Sequence, residues 1–118
     1  MTLHLANVTF DCSDPIKTAT FWSAALGLSI DEGASPFFAS IGRNDPKVPV
    51  NWLFAAVPEP RTAKSRSHLD MQTKDRPAEI ARLAGLGATH VSDHDEWGVQ
   101  WSVLLDPDGH EFCVAQEH

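Results

Sequence analysis

The chain has 118 residues, 42% hydrophobic and 21% charged, which bounds it to one ordinary globular domain with room for a real core. A formal charge of −7 argues against nucleic acid or an anionic membrane as partner, because both select a basic face. No apolar run approaches the roughly 20 residues of a membrane-spanning helix, no basic-then-apolar leader opens the chain, and two cysteines without CxxC spacing give neither a disulfide framework nor a zinc knuckle, so a cytoplasmic enzyme or binding protein is expected.

In chain order, Leu5–Cys12 alternates as a strand, with Val8, Phe10 and Cys12 on one face and Asn7, Thr9 and Asp11 on the other. A helix follows: Asp14 caps it, Pro15 fits its first turn, Gly27 stops it, and Ile16, Ala19, Trp22 and Leu26 form its apolar stripe. Strands are expected at Leu28–Asp31, Phe37–Ile41 and Trp52–Val57, separated by Gly, Pro and Asn-Asp. The polar, proline-containing stretch PEPRTAKSRS, residues 58–67, reads as a linker.

The pattern then begins again. HLDMQT is a strand with His68, Asp70 and Gln72 on one face; a helix capped by Asp75 runs to Gly87 with Ile80, Leu83 and Ala84 inward. Short strands are expected near His90–Ser92, Val99–Leu105 and Glu111–Ala115. The turn Asp106-Pro107-Asp108-Gly109 precedes the last, whose parity puts Glu111, Cys113 and Ala115 on one face. Both halves therefore read strand, helix, strand, strand, strand, and AALGLSI aligns with AGLGATHV so that Gly27 and Gly87 are equivalent. Neither half buries both faces of its own sheet, so the two are expected to assemble around a common space.

Three segments in order, VTFDCSDPIKTATFWSAALGL, HLDMQTKDRPAEIARLAGLGA and WSVLLDPDGHEFCV, carry a resemblance to the vicinal oxygen chelate superfamily. That superfamily holds glyoxalase I, bleomycin-resistance proteins and extradiol dioxygenases; more narrowly, the chain is similar to the small glyoxalase-like domain proteins. The resemblance implies a single α+β glyoxalase-like domain over residues 1–118. Two βαβββ modules, about 5–57 and 68–116, would form a curled, mostly antiparallel eight-stranded sheet around a cavity, with one helix backing each half. It also implies a homodimer. Metal-using relatives place four ligands on the inner face, from the opening and closing strands of each module. Those positions read Asn7, about Ala55, His68 and Cys113, so only His68 matches; a divalent metal is disfavoured and no cofactor is expected.

On the expected inner face, His68 is the best proton-transfer candidate, with Asp70 and Glu111 as catalytic partners. The competing reading is that His68 is a hydrogen-bonded pocket residue, and that Asp70 and Glu111 satisfy backbone groups or a partner such as Arg66. Asn7, Thr9, Asp11, Trp52, Trp101 and Cys113 are expected to contact a ligand, the tryptophans as stacking surfaces. Cys113 has no visible helix N-terminus or basic partner, so it reads as an inert thiol more readily than a nucleophile. Cys12 and Trp22 read as core, Trp97 as bordering the cavity, and His90, His94 and His118 as surface. Two classes of function stay open: a lyase or isomerase acting on a small oxygenated metabolite, and a non-catalytic protein that sequesters an aromatic or cationic compound.

Overall fold

Capping and pleat parity place the elements. In a computed structural model, which describes residues 3–60, 63 and 65–118, the chain is an α+β fold with two helices and two mixed sheets of three and four strands. It divides into two compact units, residues 1–60 and 61–118. Of the expected linker, Arg61, Thr62 and Lys64 lie outside the described residues.

The first unit holds β1 (Asn7–Cys12), α1 (Pro15–Leu26), β2 (Phe38–Ile41) and β3 (Asn51–Ala56). Asp14 caps α1 by accepting from the Lys17 amide at 3.2 Å, and Gly27, at φ 69, ends it in the left-handed conformation that a Cβ disfavours. The strands lie in the order β1-β3-β2, β1 parallel to β3 and β2 antiparallel to it. Pro15, Thr18, Ala19 and Trp22 are the buried stripe of α1, spaced i, i+3, i+4, i+7. Ile16, expected in that stripe, sits about 100° further round the helix and is 40% exposed. Trp22 packs against Phe10, Phe21 and Trp52 with ring centroids 5.6, 5.2 and 5.2 Å away.

The second unit holds β4 (Leu69–Thr73), α2 (Arg76–Gly85), β5 (Thr89–Glu96), β6 (Val99–Leu105) and β7 (Glu111–Gln116), with strands in the order β4-β7-β6-β5. Again the first strand lies parallel beside the last. Leu104, Phe112 and Val114 are buried with Leu83 of α2, so the opposite face of this sheet carries the odd residues of β6 and β7.

One expectation is corrected. The described residues form seven strands in two sheets rather than one eight-stranded sheet. The expected strand Leu28–Asp31 is reduced to a single bridge, Ile30 to Ile41, followed by the Asp31 amide donating to Ser40 O at 2.9 Å. There the Asp31 carboxylate accepts from the Ser40 hydroxyl and the Arg43 amide, and the chain turns away before a longer ladder can form.

Two polar devices fix the second sheet. Buried Asp106 accepts from the amides of Asp108 and His110 at 2.9 and 3.0 Å, and Gly109 adopts φ 91, which closes the turn with Leu105 opposite Glu111. On the helical side, Arg76 at the start of α2 donates to the buried Ser102 hydroxyl at 2.6 Å, and Ser102 donates to Asp93 at 2.5 Å. The His90 ring meets the same Asp93 oxygen at 2.7 Å. Ser102 first, then His90, holds the Asp93 carboxyl below its ordinary value of 3.8. A lowered carboxyl pKa stabilises the fold above the unfolded value, and that contribution is lost as pH falls through the folded one. Asp93→Asn is therefore expected to lower the melting temperature at neutral pH, and the deficit should shrink below about pH 4. Thermal denaturation of both proteins across pH 2–8 measures it; a deficit that does not change with pH contradicts the assignment.

Candidate functional site

The face of the second sheet turned away from α2 carries a cavity of about 440 Å³. Its wall is His68, Asp70, His94, Val99, Trp101, Val103, Glu111, Cys113 and Ala115. The parallel register pairs Asp70 with Cys113, and the antiparallel one pairs Val103 with Cys113 and Trp101 with Ala115, so pleat parity sends these side chains to one side. His68 immediately precedes β4 rather than lying within it.

Three polar groups converge there. His68 Nδ1 lies 3.0 Å from Asp70 Oδ1 and 3.8 Å from Cys113 Sγ. Both partners face the same ring nitrogen, so they compete for it. A charge-assisted bond at 3.0 Å outweighs a weak sulfur contact at 3.8 Å, which favours the Nδ1–H tautomer donating to Asp70. That tautomer leaves the lone pair on Nε2, the nitrogen free to act as a base. Cys113 lies beside the pair in the cavity wall. The side chains of His68 and Asp70 are 47% and 67% exposed, so their pairing orients the ring more than it stabilises the fold.

The same donors bear on the metal that the superfamily uses. One nitrogen, one carboxylate oxygen and one sulfur lie within 4.8 Å of one another. Zinc bonds of about 2.0–2.3 Å put tetrahedral donors roughly 3.3–3.8 Å apart, so His68, Asp70 and Cys113 fit three corners of such a site after small side-chain rotations. Two of the three have side chains about half exposed or more, and three donors leave the fourth corner unfilled by the set, so it suits a weakly held ion.

The other expected site residues belong to the first unit. Asn7, Thr9 and Asp11 share the exposed face of β1. Trp52 falls on the helix-facing side of β3, opposite Val8, with its ring 5.2 Å from Trp22 and 5.8 Å from Phe10. None of these four lines the cavity just described. A second hollow of about 350 Å³, bounded by Gly27–Glu32 and the 42–48 loop, is confined to the first unit. Its carboxylates Asp31 and Asp45 already accept from nearby amides.

Sequence reasoning missed His94. Strict alternation from His90 puts both on one face, but β5 has a register shift between His90 and Ser92 that turns His94 to the cavity side. Its ring stacks on Trp101, centroids 4.9 Å apart and planes within 16°. A signal was present: counting back from the two-residue turn Trp97-Gly98 pairs Glu96 with Val99 and hence His94 with Trp101.

The family model described as a glyoxalase-like domain matches residues 7–115. No curated protein sequence matches the chain. Among solved structures, a glyoxalase/bleomycin resistance protein/dioxygenase family enzyme from Burkholderia phytofirmans superposes with TM-score 0.76 at 18% identity, over 97% of this chain and 98% of that one. The fosfomycin resistance protein FosX from Mesorhizobium loti gives 0.74 at 14%, over 100% and 95%. An antibiotic binding protein from a Streptomyces species gives 0.70 at 18%, over 100% and 99%. At these identities the likeness is one of fold.

The donor geometry yields a measurable expectation. Protein purified without a metal-affinity tag should carry less than one equivalent of zinc, nickel, manganese or iron by elemental analysis. A stoichiometric ion that is lost in His68→Ala contradicts the weak-site reading.

Proposed function

The chain belongs to the glyoxalase-like domain family, and on that premise we propose that it is a small-molecule enzyme working at the cavity of its second module, with His68 as the proton-transfer group. The observation that carries this reading is the His68–Asp70 contact at 3.0 Å on the wall of a cavity that also holds Glu111. Asp70 accepts a hydrogen bond from Nδ1–H, fixes the ring and leaves Nε2 as general base; Glu111 is the second group able to exchange a proton with substrate. Val99, Val103, Ala115 and the Trp101 ring supply apolar wall, and the polar groups set orientation. This suits a lyase or isomerase acting on a small oxygenated compound, where a carbon acid or hydroxyl loses a proton. A divalent ion held by His68, Asp70 and Cys113 would replace the His68–Asp70 hydrogen bond and would supply a Lewis acid for a substrate oxygen, so the general-base role belongs to the metal-free site. In the module arrangement implied by the family, Asn7, Thr9 and Asp11 are further ligand contacts. A cytoplasmic homodimer is part of the same proposal.

The stack of His94 on Trp101 favours a second reading, capture of a flat compound without turnover. Among the similar structures, one is titled an antibiotic binding protein and another a fosfomycin resistance protein.

Deuterium exchange separates the two. Carbonyl and hydroxy compounds that raise the melting temperature are incubated with protein in D2O, and loss of C–H signal is followed by NMR. The expected result is exchange that falls about 100-fold or more in His68→Ala, the size of a typical general-base contribution, and less in Asp70→Asn, with both variants folded. Stabilisation by ligand without exchange supports the binding reading. Undiminished ligand stabilisation and exchange in His68→Ala would remove His68 from the site.

A further inference from the structure

The bulge in β5 decides which of its side chains enter the cavity. His90 stands opposite Leu104, yet Ser92 stands opposite Val103, so two residues of β5 answer one of β6. Without the extra residue Val91 would stand opposite Val103 and Asp93 opposite Trp101, and the cavity side would carry Val91, Asp93 and Asp95 in place of Ser92 and His94. Contacts on the helical side hold the bulge. Because of it His90 and Asp93 point the same way, and Asp93 Oδ1 meets the His90 ring at 2.7 Å, the buried Ser102 hydroxyl at 2.5 Å and Arg76 at 3.4 Å. In the unbulged register the Asp93 carboxylate would lie on the other face, and all three contacts would be lost.

His94 is the group so placed. Its Nε2 shares a hydrogen bond with the Ser92 hydroxyl at 2.9 Å, and its ring stacks on Trp101 with centroids 4.9 Å apart. The ring is thereby fixed in position and tilt, and Nδ1 is the nitrogen left for a ligand. Strand order β4-β7-β6-β5 puts His94 at the opposite end of the wall from His68. The row Gln72, Ala115, Trp101, His94 lies four residues along from His68, and β5 lies three strands across from β4. In a regular sheet those offsets are roughly 13 Å and 14 Å. Between the two imidazoles the wall includes Val103, Cys113 and Ala115, and neither lysine nor arginine lines the cavity to meet a carboxylate or phosphate.

We propose that His94 is a specificity-determining residue whose Nδ1 anchors a hydroxyl or carbonyl at the far end of an elongated, uncharged substrate, the reactive end lying at His68. Asp93 is its positioning residue, acting from the other face of the sheet by holding the bulge. The proposal deepens the reading above by naming the substrate class, and it rests on that cavity being the site with His68 as its proton-transfer group. A compound oxygenated at one end only leaves Nδ1 without a partner, and a site built to hydrogen-bond a hydroxyl discriminates against the analogue that lacks it.

The pair 9-hydroxynonan-2-one and nonan-2-one tests it, with deuterium exchange beside the ketone followed by NMR and the melting-temperature shift measured alongside. An apolar wall alone favours nonan-2-one, because burying the hydroxyl costs it water contacts. A hydroxyl both donates and accepts, so it suits either tautomer of His94. The wild type should exchange the hydroxyketone with a KM about fivefold lower or better at similar kcat, the size of one hydrogen bond, and should be stabilised more by it. His94→Phe, which keeps a ring on Trp101 and removes the nitrogen, should abolish that difference without slowing nonan-2-one. Asp93→Ala, assayed below its own melting temperature, should do the same, which loss of stability alone does not predict. A difference that survives in His94→Phe overturns the anchor; one that is lost there but survives in Asp93→Ala overturns the positioning role. Equal KM and equal melting shifts in the wild type, or no response to either ketone, overturn the substrate class. A His94-dependent difference in melting shift without exchange, or with exchange undiminished in His68→Ala, supports the anchor and removes the His68 reading.

Discussion

The parallel pairing of β4 with β7, which sets Asp70 opposite Cys113, decides what the second module can offer a ligand, because side chains alternate faces and a slip of one residue exchanges them all. In the observed register, Phe112 and Val114 are buried on the helical side, while Glu111, Cys113 and Ala115 share the other with Asp70. The register is over-determined. Burial of Phe112 and Leu104 specifies it from one side, and the Asp106–Gly109 turn specifies where β7 begins. Arg76 ties the start of α2 to Ser102 of β6, between the cavity residues Trp101 and Val103, so the helix and the cavity wall are positioned by one bond.

Within that frame, the chemistry turns on a single atom. His68 Nδ1 is contested by Asp70 and Cys113, and the shorter, charge-assisted contact prevails. In the proposed mechanism this contact leaves Nε2 as the basic nitrogen and orients a ring that is otherwise half in water. Cys113 stands one pleat from Glu111 on the cavity side of the last strand, so the cavity wall carries a histidine, two carboxylates and a cysteine.

Much of this was legible in the sequence because the signals were local. Asp14 and Asp75 cap their helices as the residue types demand, and DPDG forms its turn with β7 in the expected parity. The family model spans most of the chain, residues 7–115. What escaped depended on contacts between strands. His94 faces the cavity only because β5 shifts register after His90. The strand expected at Leu28–Asp31 is a single bridge, with Asp31 held to Ser40 and Arg43 by its side chain. Trp52, expected as a stacking surface though core packing was the safer reading, has its ring 5.2 Å from that of Trp22, thirty positions earlier.

The most direct test of the account is where a ligand sits. A crystal structure of the protein with the compound that most raises its melting temperature should show density against Trp101 and within contact of His68, on the sheet face opposite α2. Density on the helical side, or in the hollow bounded by Gly27–Glu32 and the 42–48 loop, would contradict it.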